Sequence, residues 1–179
     1  MELAIEEINK NNELDKFLLK LVVADDYNTL DKSDQAEESA NLLVGYQNMT
    51  AVVGHYSSQA TLEAGEIYRE HQIPFISPTS TLPNLTAENE WGFGMMADDY
   101  QQSLFLANYV IHGLTRKKVA VLHSDNPYGR SLQEFFVEEL EINGISPTMT
   151  VEIGHATLKS DELLERIGEF SDAEVIFLA

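Results

Sequence analysis

Ala51-Val52-Val53-Gly54-His55-Tyr56-Ser57-Ser58 and Ile73-Pro74-Phe75-Ile76-Ser77-Pro78-Thr79-Ser80-Thr81 decide the fold. Each opens on a short apolar run rich in β-branched or aromatic residues, as a buried strand should be. Each then passes into a polar loop whose hydroxyl residues stand where a helix would begin. Hydroxyls beside the free N–H groups of a helix start, at the positive end of its dipole, suit a small anion. In open α/β sheets ligands bind in that place, outside the carboxyl ends of the strands. Two such loops in one chain imply a binder of small molecules.

The same alternation extends outward on both sides. Leu3, Ala4, Ile5 and Ile8 make an amphipathic helix stopped by Asn9-Lys10-Asn11-Asn12, and Phe17 to Ala24 reads as a buried strand closed by Asp25-Asp26. A helix from about Asp31 carries Ala36, Ala40, Leu43 and Val44 on one face, and the helix after Ser57-Ser58 turns Ala60, Ala64, Ile67 and Tyr68 inward. After the second loop comes an extended piece around Trp91 to Met96. Asp98 with Gln101 then opens a helix bearing Leu104, Ala107, Val110, Ile111 and Leu114. Lys118 to His123 is a strand, and Asn126-Pro127 caps a helix with Leu132, Phe135, Phe136 and Leu140 that Asn143-Gly144 ends. Met149, Val151 and Ile153 alternate along another strand, a helix is expected from about Ser160 to Phe170, and Glu174 to Ala179 is a last strand. Strands and helices in this order predict an α/β fold of doubly wound parallel sheets.

The charged turn near Thr115 to Lys117 sets the expected boundary between two units, residues 1–115 and 116–179. The chain opens directly on a helix and closes on a strand. Parallel sheets need cover on both faces, so the expectation is a fold incomplete at both ends, part of a longer protein.

Charge narrows the partners. The formal net charge is −19 over 179 residues, and between Asp34 and Thr115 the only basic residue is Arg69. The chain is therefore a poor candidate for binding nucleic acid, and anionic membrane surfaces would repel it; neither is expected as a partner. There are no cysteines, no apolar stretch approaches the roughly 20 residues of a membrane span, and no signal peptide is seen. His55, His71, His112, His123 and His155 lack metal-ligand spacing, and neither a metal nor a cofactor is expected. Gly92-Phe93-Gly94-Met95-Met96-Ala97 matches the spacing of the dinucleotide fingerprint, but no buried strand leads into it.

The candidate ligand-binding residues are Ser57, Ser58, Thr79, Ser80 and Thr81, with Tyr128 at the equivalent helix start of the second unit. The plain alternative is that the hydroxyls only cap helices, as Ser and Thr often do. Five of them in two loops exceed what caps need. A few hydrogen bonds to a charged group, about 1.5–3 kcal/mol each, could hold a carboxylate with no Arg or Lys. Tyr128 could cover a ligand, or simply pack on the surface. His55 near Ser57 and Ser58 raises a serine hydrolase as a rival, against which stands the absence of a G-x-S-x-G elbow.

The ordered set of segments resembles the type I periplasmic binding proteins, particularly the branched-chain amino-acid binding group. The strings are Leu3-Ala4-Ile5-Glu6-Glu7-Ile8-Asn9, Gly54-His55-Tyr56-Ser57-Ser58, Ile67-Tyr68, Ile73-Pro74-Phe75-Ile76-Ser77-Pro78, Leu82-Pro83-Asn84-Leu85-Thr86, and Val119-Ala120-Val121-Leu122-His123 through Tyr128-Gly129. The resemblance runs from the first helix to the last strand and implies two α/β lobes that close on a ligand, with most of one lobe and the beginning of the other here. It implies that Ser58 and the Thr79–Thr81 loop hold an α-carboxylate and help hold its ammonium, and that Tyr128 contacts the ligand from the second lobe. The family's first strand and the second half of both lobes are not matched, and with them the acidic partner of the ammonium. Gly94-Met95 stands where the family usually has arginine and threonine, and the Asp25–Ser33 loop looks longer. The implied function is capture of a small polar solute, an amino acid or similar, for the membrane permease of an ABC importer. The implied setting is periplasmic or extracellular. A sensor domain of a membrane receptor is the other function open to this family.

Overall fold

The β-branched and aromatic runs become the strands of two parallel three-stranded sheets in a computed structural model that describes residues 1–26, 35–154, 168 and 170–179. The first sheet has the order β1 (Val52–Val53), β2 (Phe75–Ser77), β3 (Gly92–Gly94). In the second, β4 (Val119–Ser124) lies between β5 (Met149–Ile153) and β6 (Val175–Leu178). Helices α1 (Glu2–Asn11), α2 (Gln35–Val44), α3 (Ser58–Glu70), α4 (Asn84–Ala87), α5 (Asp99–Asn108) and α6 (Pro127–Ile142) alternate with them. α5 runs straight into a π-helical turn, Tyr109–Gly113.

Each sheet has its own core. Ala40, Leu43, Val52, Ala64, Tyr68 and Phe75 pack together on the first. Val119 and Val121 face Leu132, Phe136 and Leu140 on one side of the second, while Ala120 and Leu122 face Val151 and Phe170 on the other. Both faces of β4 are thus covered, which is why it reads as a continuous apolar run. The inward residues Ala107 and Val110 place α5 and the π turn on the second core, although both precede residue 115. The chain crosses between the sheets over Met95–Asp98. Gly129 lets α6 start tight against β4, since a Cβ there would meet the Ser124 carbonyl oxygen at 2.6 Å.

Several expectations are corrected. Phe17 to Ala24 is not a strand: Phe17, Leu18 and Val23 are three-quarters exposed, and no strand lies alongside them among the described residues. A parallel strand needs hydrogen-bonded neighbours, and composition alone does not supply one. The segment is held instead by paired hydrogen bonds between the Asn9 amide group and the Leu19 backbone, each 2.8 Å. The first helix forms but buries nothing. The extended piece expected around Trp91 to Met96 is strand β3, Gly92–Gly94, its buried Gly92 fitted against Phe75. The expected start of α2 at Asp31, His155 and nearly all of the helix at 160–170 lie outside the described residues.

Candidate functional site

Parallel pairing of β1 with β2 carries the two hydroxyl loops to the same end of the first sheet. There they are stitched to each other. Ser57 is the N-cap of α3, its hydroxyl oxygen accepting from the Ala60 N–H at 3.1 Å. Ser77 Oγ donates to the His55 carbonyl at 3.0 Å and accepts from the Ser80 N–H at 3.0 Å. Thr79 Oγ1 donates to the Tyr56 carbonyl at 2.6 Å, and Ser80 Oγ donates to Ser58 Oγ at 3.3 Å. Capping and loop-to-loop bonding therefore account for Ser57 and Thr79. Ser58, Ser80 and Thr81 are buried together in the first turn of α3 and the loop facing it.

Asp99, on the first turn of α5, completes this corner. Its N–H donates to the Thr81 carbonyl at 2.7 Å, and its side chain is fully buried. Burial pushes the carboxyl above the ordinary aspartate range, the facing hydroxyls of Thr81 and Ser131 pull it back, and the charge of Asp98 raises it further. Neither hydroxyl makes a hydrogen bond of normal length and angle with it. Among the described residues four buried side-chain oxygens lack a partner. Three of them, Thr81 Oγ1 and both Asp99 carboxylate oxygens, are here. Tyr128, on the first turn of α6 and 41% exposed, has its hydroxyl pKa raised by burial and then by the charge of Asp99. The threonine of the first unit thus adjoins a buried acid whose charge also reaches the candidate tyrosine of the second.

A second cluster supports the β1 loop. His55 Nδ1 donates to Asp26 Oδ2 at 2.7 Å, since a carboxylate can only accept, and His55 Nε2 accepts from the Tyr68 hydroxyl at 2.9 Å. Burial, then the Asp26 charge, drives the Tyr68 hydroxyl far above its ordinary pKa, so it stays a donor. Both ring nitrogens are engaged, which leaves His55 no base to offer Ser57 or Ser58 and removes the basis for a serine hydrolase. Among the described residues no three His, Asp or Glu gather as a metal site.

Asp26, Tyr68 and Asp99 were not among the sequence candidates. Tyr68 reads only as an inward residue of its helix and part of a family-like string, and Asp26 only as the end of a strand, with nothing in the sequence joining either to His55. For Asp99 a signal existed: counting back from the buried Ala107 in steps of four gives Ser103 and Asp99, the rest of the buried stripe of α5.

The profile of the family described as "Periplasmic binding protein" matches residues 1–179. An amino acid binding protein of Pseudomonas aeruginosa is 34% identical over 97% of this chain and 46% of its own length. A branched-chain amino acid transporter substrate binding protein of Streptococcus pneumoniae, solved in complex with isoleucine, superposes with a TM-score of 0.82 at 25% identity, over 99% of this chain and 49% of that one. An ABC transporter substrate-binding protein of Desulfitobacterium hafniense, in complex with Leu, superposes with a TM-score of 0.75 at 25% identity, over 99% of this chain and 52% of that one. The chain spans less than half the length of the curated relatives it matches, 46% of the first and 39% of the next.

Proposed function

The chain belongs to the periplasmic binding protein family, and on that premise we propose that it is the part of an extracytoplasmic solute-binding protein that captures an amino acid for an ABC importer. The observation that carries this is the pair of stitched loops, with Ser80 Oγ 3.3 Å from Ser58 Oγ and the Thr81 hydroxyl buried and unspent beside them. Relatives named for binding amino acids, and one solved with isoleucine, give the ligand class. The only basic residue between Asp34 and Thr115, Arg69, is half-exposed near the far end of α3 and paired with Glu66. A carboxylate would therefore be held by neutral donors: the Ser58 hydroxyl, the free N–H groups at the start of α3 and the Thr79–Thr81 loop, which also takes part of the ammonium.

The second half of the crevice comes from α6, with Tyr128 closing over the bound solute. We draw the division between the halves at Met95–Asp98 rather than at residue 115, because α5 packs on the second core. Contacts from both halves to one ligand would shift the population toward a closed form. Nothing in this binding requires chemistry on the ligand.

The test is calorimetric titration of the intact protein with a panel of L-amino acids, followed by Ser58→Ala and Thr81→Ala. Each substitution is expected to weaken binding by about 1–3 kcal/mol. Unchanged affinity in both variants would return these residues to loop capping.

A further inference from the structure

Met95 and Met96 stand side by side on the crossing from β3 to α5, 71% and 58% exposed, whereas Met49 and Met149 are packed against buried clusters of the two sheets. Two consecutive thioethers left to solvent gain little from hydrophobic burial. What an exposed thioether does offer is a sulfur that an oxidant can reach. The crossing is also tied to the candidate site. The Met95 N–H donates to the Ser77 carbonyl at 3.2 Å, and Ser77 Oγ in turn fixes the His55 carbonyl and the Ser80 N–H. Two residues beyond Met96, Asp98 caps α5 by accepting from the Gln101 N–H at 2.8 Å. The pair therefore occupies the short stretch of chain that joins the hydroxyl loops to the second core.

We propose that Met95–Met96 is an oxidation site through which a two-electron oxidant of the peroxide class weakens solute binding. Each sulfur takes one oxygen atom: an S–O bond forms, the peroxide O–O bond breaks, and the proton of the transferred oxygen passes to the departing one. Sulfur is oxidised by two electrons and hydrogen peroxide is reduced to water. The sulfoxide is polar, with an acceptor oxygen where the thioether was apolar. Bringing the two halves together on a solute withdraws surface beside the crossing from water, which an apolar side chain favours and an unpartnered polar one opposes. Oxidation thus shifts the population away from the closed form. The effect on binding rests on the amino-acid-binding function above; the reactivity of the pair does not.

The experiment treats the intact protein with hydrogen peroxide, locates added oxygen by peptide mass spectrometry, and titrates L-leucine before and after. Met95 and Met96 are expected to convert while Met49 and Met149 remain mostly thioether. Affinity for L-leucine is expected to fall about fivefold or more, and methionine sulfoxide reductases acting on both sulfoxide epimers restore it. The double variant Met95→Leu, Met96→Leu keeps apolar side chains of similar volume, so it is expected to bind like the untreated protein. It should lose nothing on treatment, although Met1, 60% exposed, stays open to oxidation. Three outcomes each overturn the proposal: Met95 and Met96 reacting no faster than Met49 and Met149, full conversion with unchanged affinity, or a loss that persists in the double variant. Should the double variant not fold, Met95→Leu and Met96→Leu singly must each remove part of the loss, and a full loss in both overturns it as well. Where another L-amino acid binds in place of leucine, that one is titrated. An untreated protein that binds no L-amino acid refutes the function itself and the effect on binding with it, whereas binding that oxidation leaves unaltered refutes only the role of the methionine pair.

Discussion

Burial, more than any neighbouring charge, raises the Asp99 carboxyl above its ordinary range, so the folded chain holds that proton more tightly than the unfolded chain does. The sign follows directly. The stability associated with the protonated form is complete below the unfolded aspartate value, about 3.9, and is lost as pH rises through the higher folded value. Asp99→Asn, which cannot ionise, is expected to match the wild type in acid and to become the more stable of the two as pH rises toward neutrality. Urea unfolding of both proteins across that range measures it, and parallel curves at all pH values would contradict it. The hydroxyl loops were legible in the sequence at this scale, because N-caps and strand ends depend on neighbours in the chain. Asp99 and the Asp26–His55–Tyr68 cluster were not, since nothing local marks which aspartate of a pair will be buried or which distant side chain will meet a histidine.

At the scale of elements, the start of α6 shows how much local chemistry can decide. Asn126 caps the helix by accepting from the Gly129 N–H at 2.9 Å, and Pro127 occupies the first turn, as the order Asn-Pro predicts. What the order does not reveal is why residue 129 is glycine. A Cβ there would stand 2.6 Å from the Ser124 carbonyl oxygen and 2.8 Å from its nitrogen, both backbone atoms that cannot give way without moving β4. Gly129→Ala is accordingly expected to destabilise the protein by about 1–3 kcal/mol, read as a lowered urea midpoint, and to shift Tyr128 with the first turn. The α5 stripe was only partly legible. Ala107 and Val110 are buried as the 3.6-residue period requires, but Leu114 is exposed, because the π-helical turn at Tyr109–Gly113 rotates the chain out of the α-helical register.

The whole molecule has two cores, which predicts two responses to damage. Phe75, tilted against Tyr68 at 5.4 Å, anchors the first, and Phe136, stacked on Phe177 at 3.8 Å, anchors the second. Each is fully buried, and truncation to alanine is expected to cost about 3–5 kcal/mol. Hydrogen exchange should lose protection chiefly in β1, β2 and α3 for Phe75→Ala, and in α5, α6 and β4 for Phe136→Ala. Loss spread evenly over both sheets in either variant would mean a single cooperative core. The placement of α5 with the second sheet belongs to this scale too, since a charged turn at residue 116 marks the start of a strand and not the packing of the helix before it.

Strand and helix order, parallel pairing and the two hydroxyl loops were determined by the sequence itself. Hydrophobic periodicity, caps and turn residues act over a few positions, and two βα turns of one parallel sheet have to emerge at the same end. The tertiary structure alone decided that Phe17–Ala24 is not a strand, that α5 belongs to the second core, that both nitrogens of His55 are spoken for, and that the acid side chain of Asp99 is buried beside Thr81. Each of these depends on what lies alongside a segment in space. A strand exists through its neighbour's hydrogen bonds, a helix face through the core it meets, and a pKa through burial, and none of these is written in the residues next door.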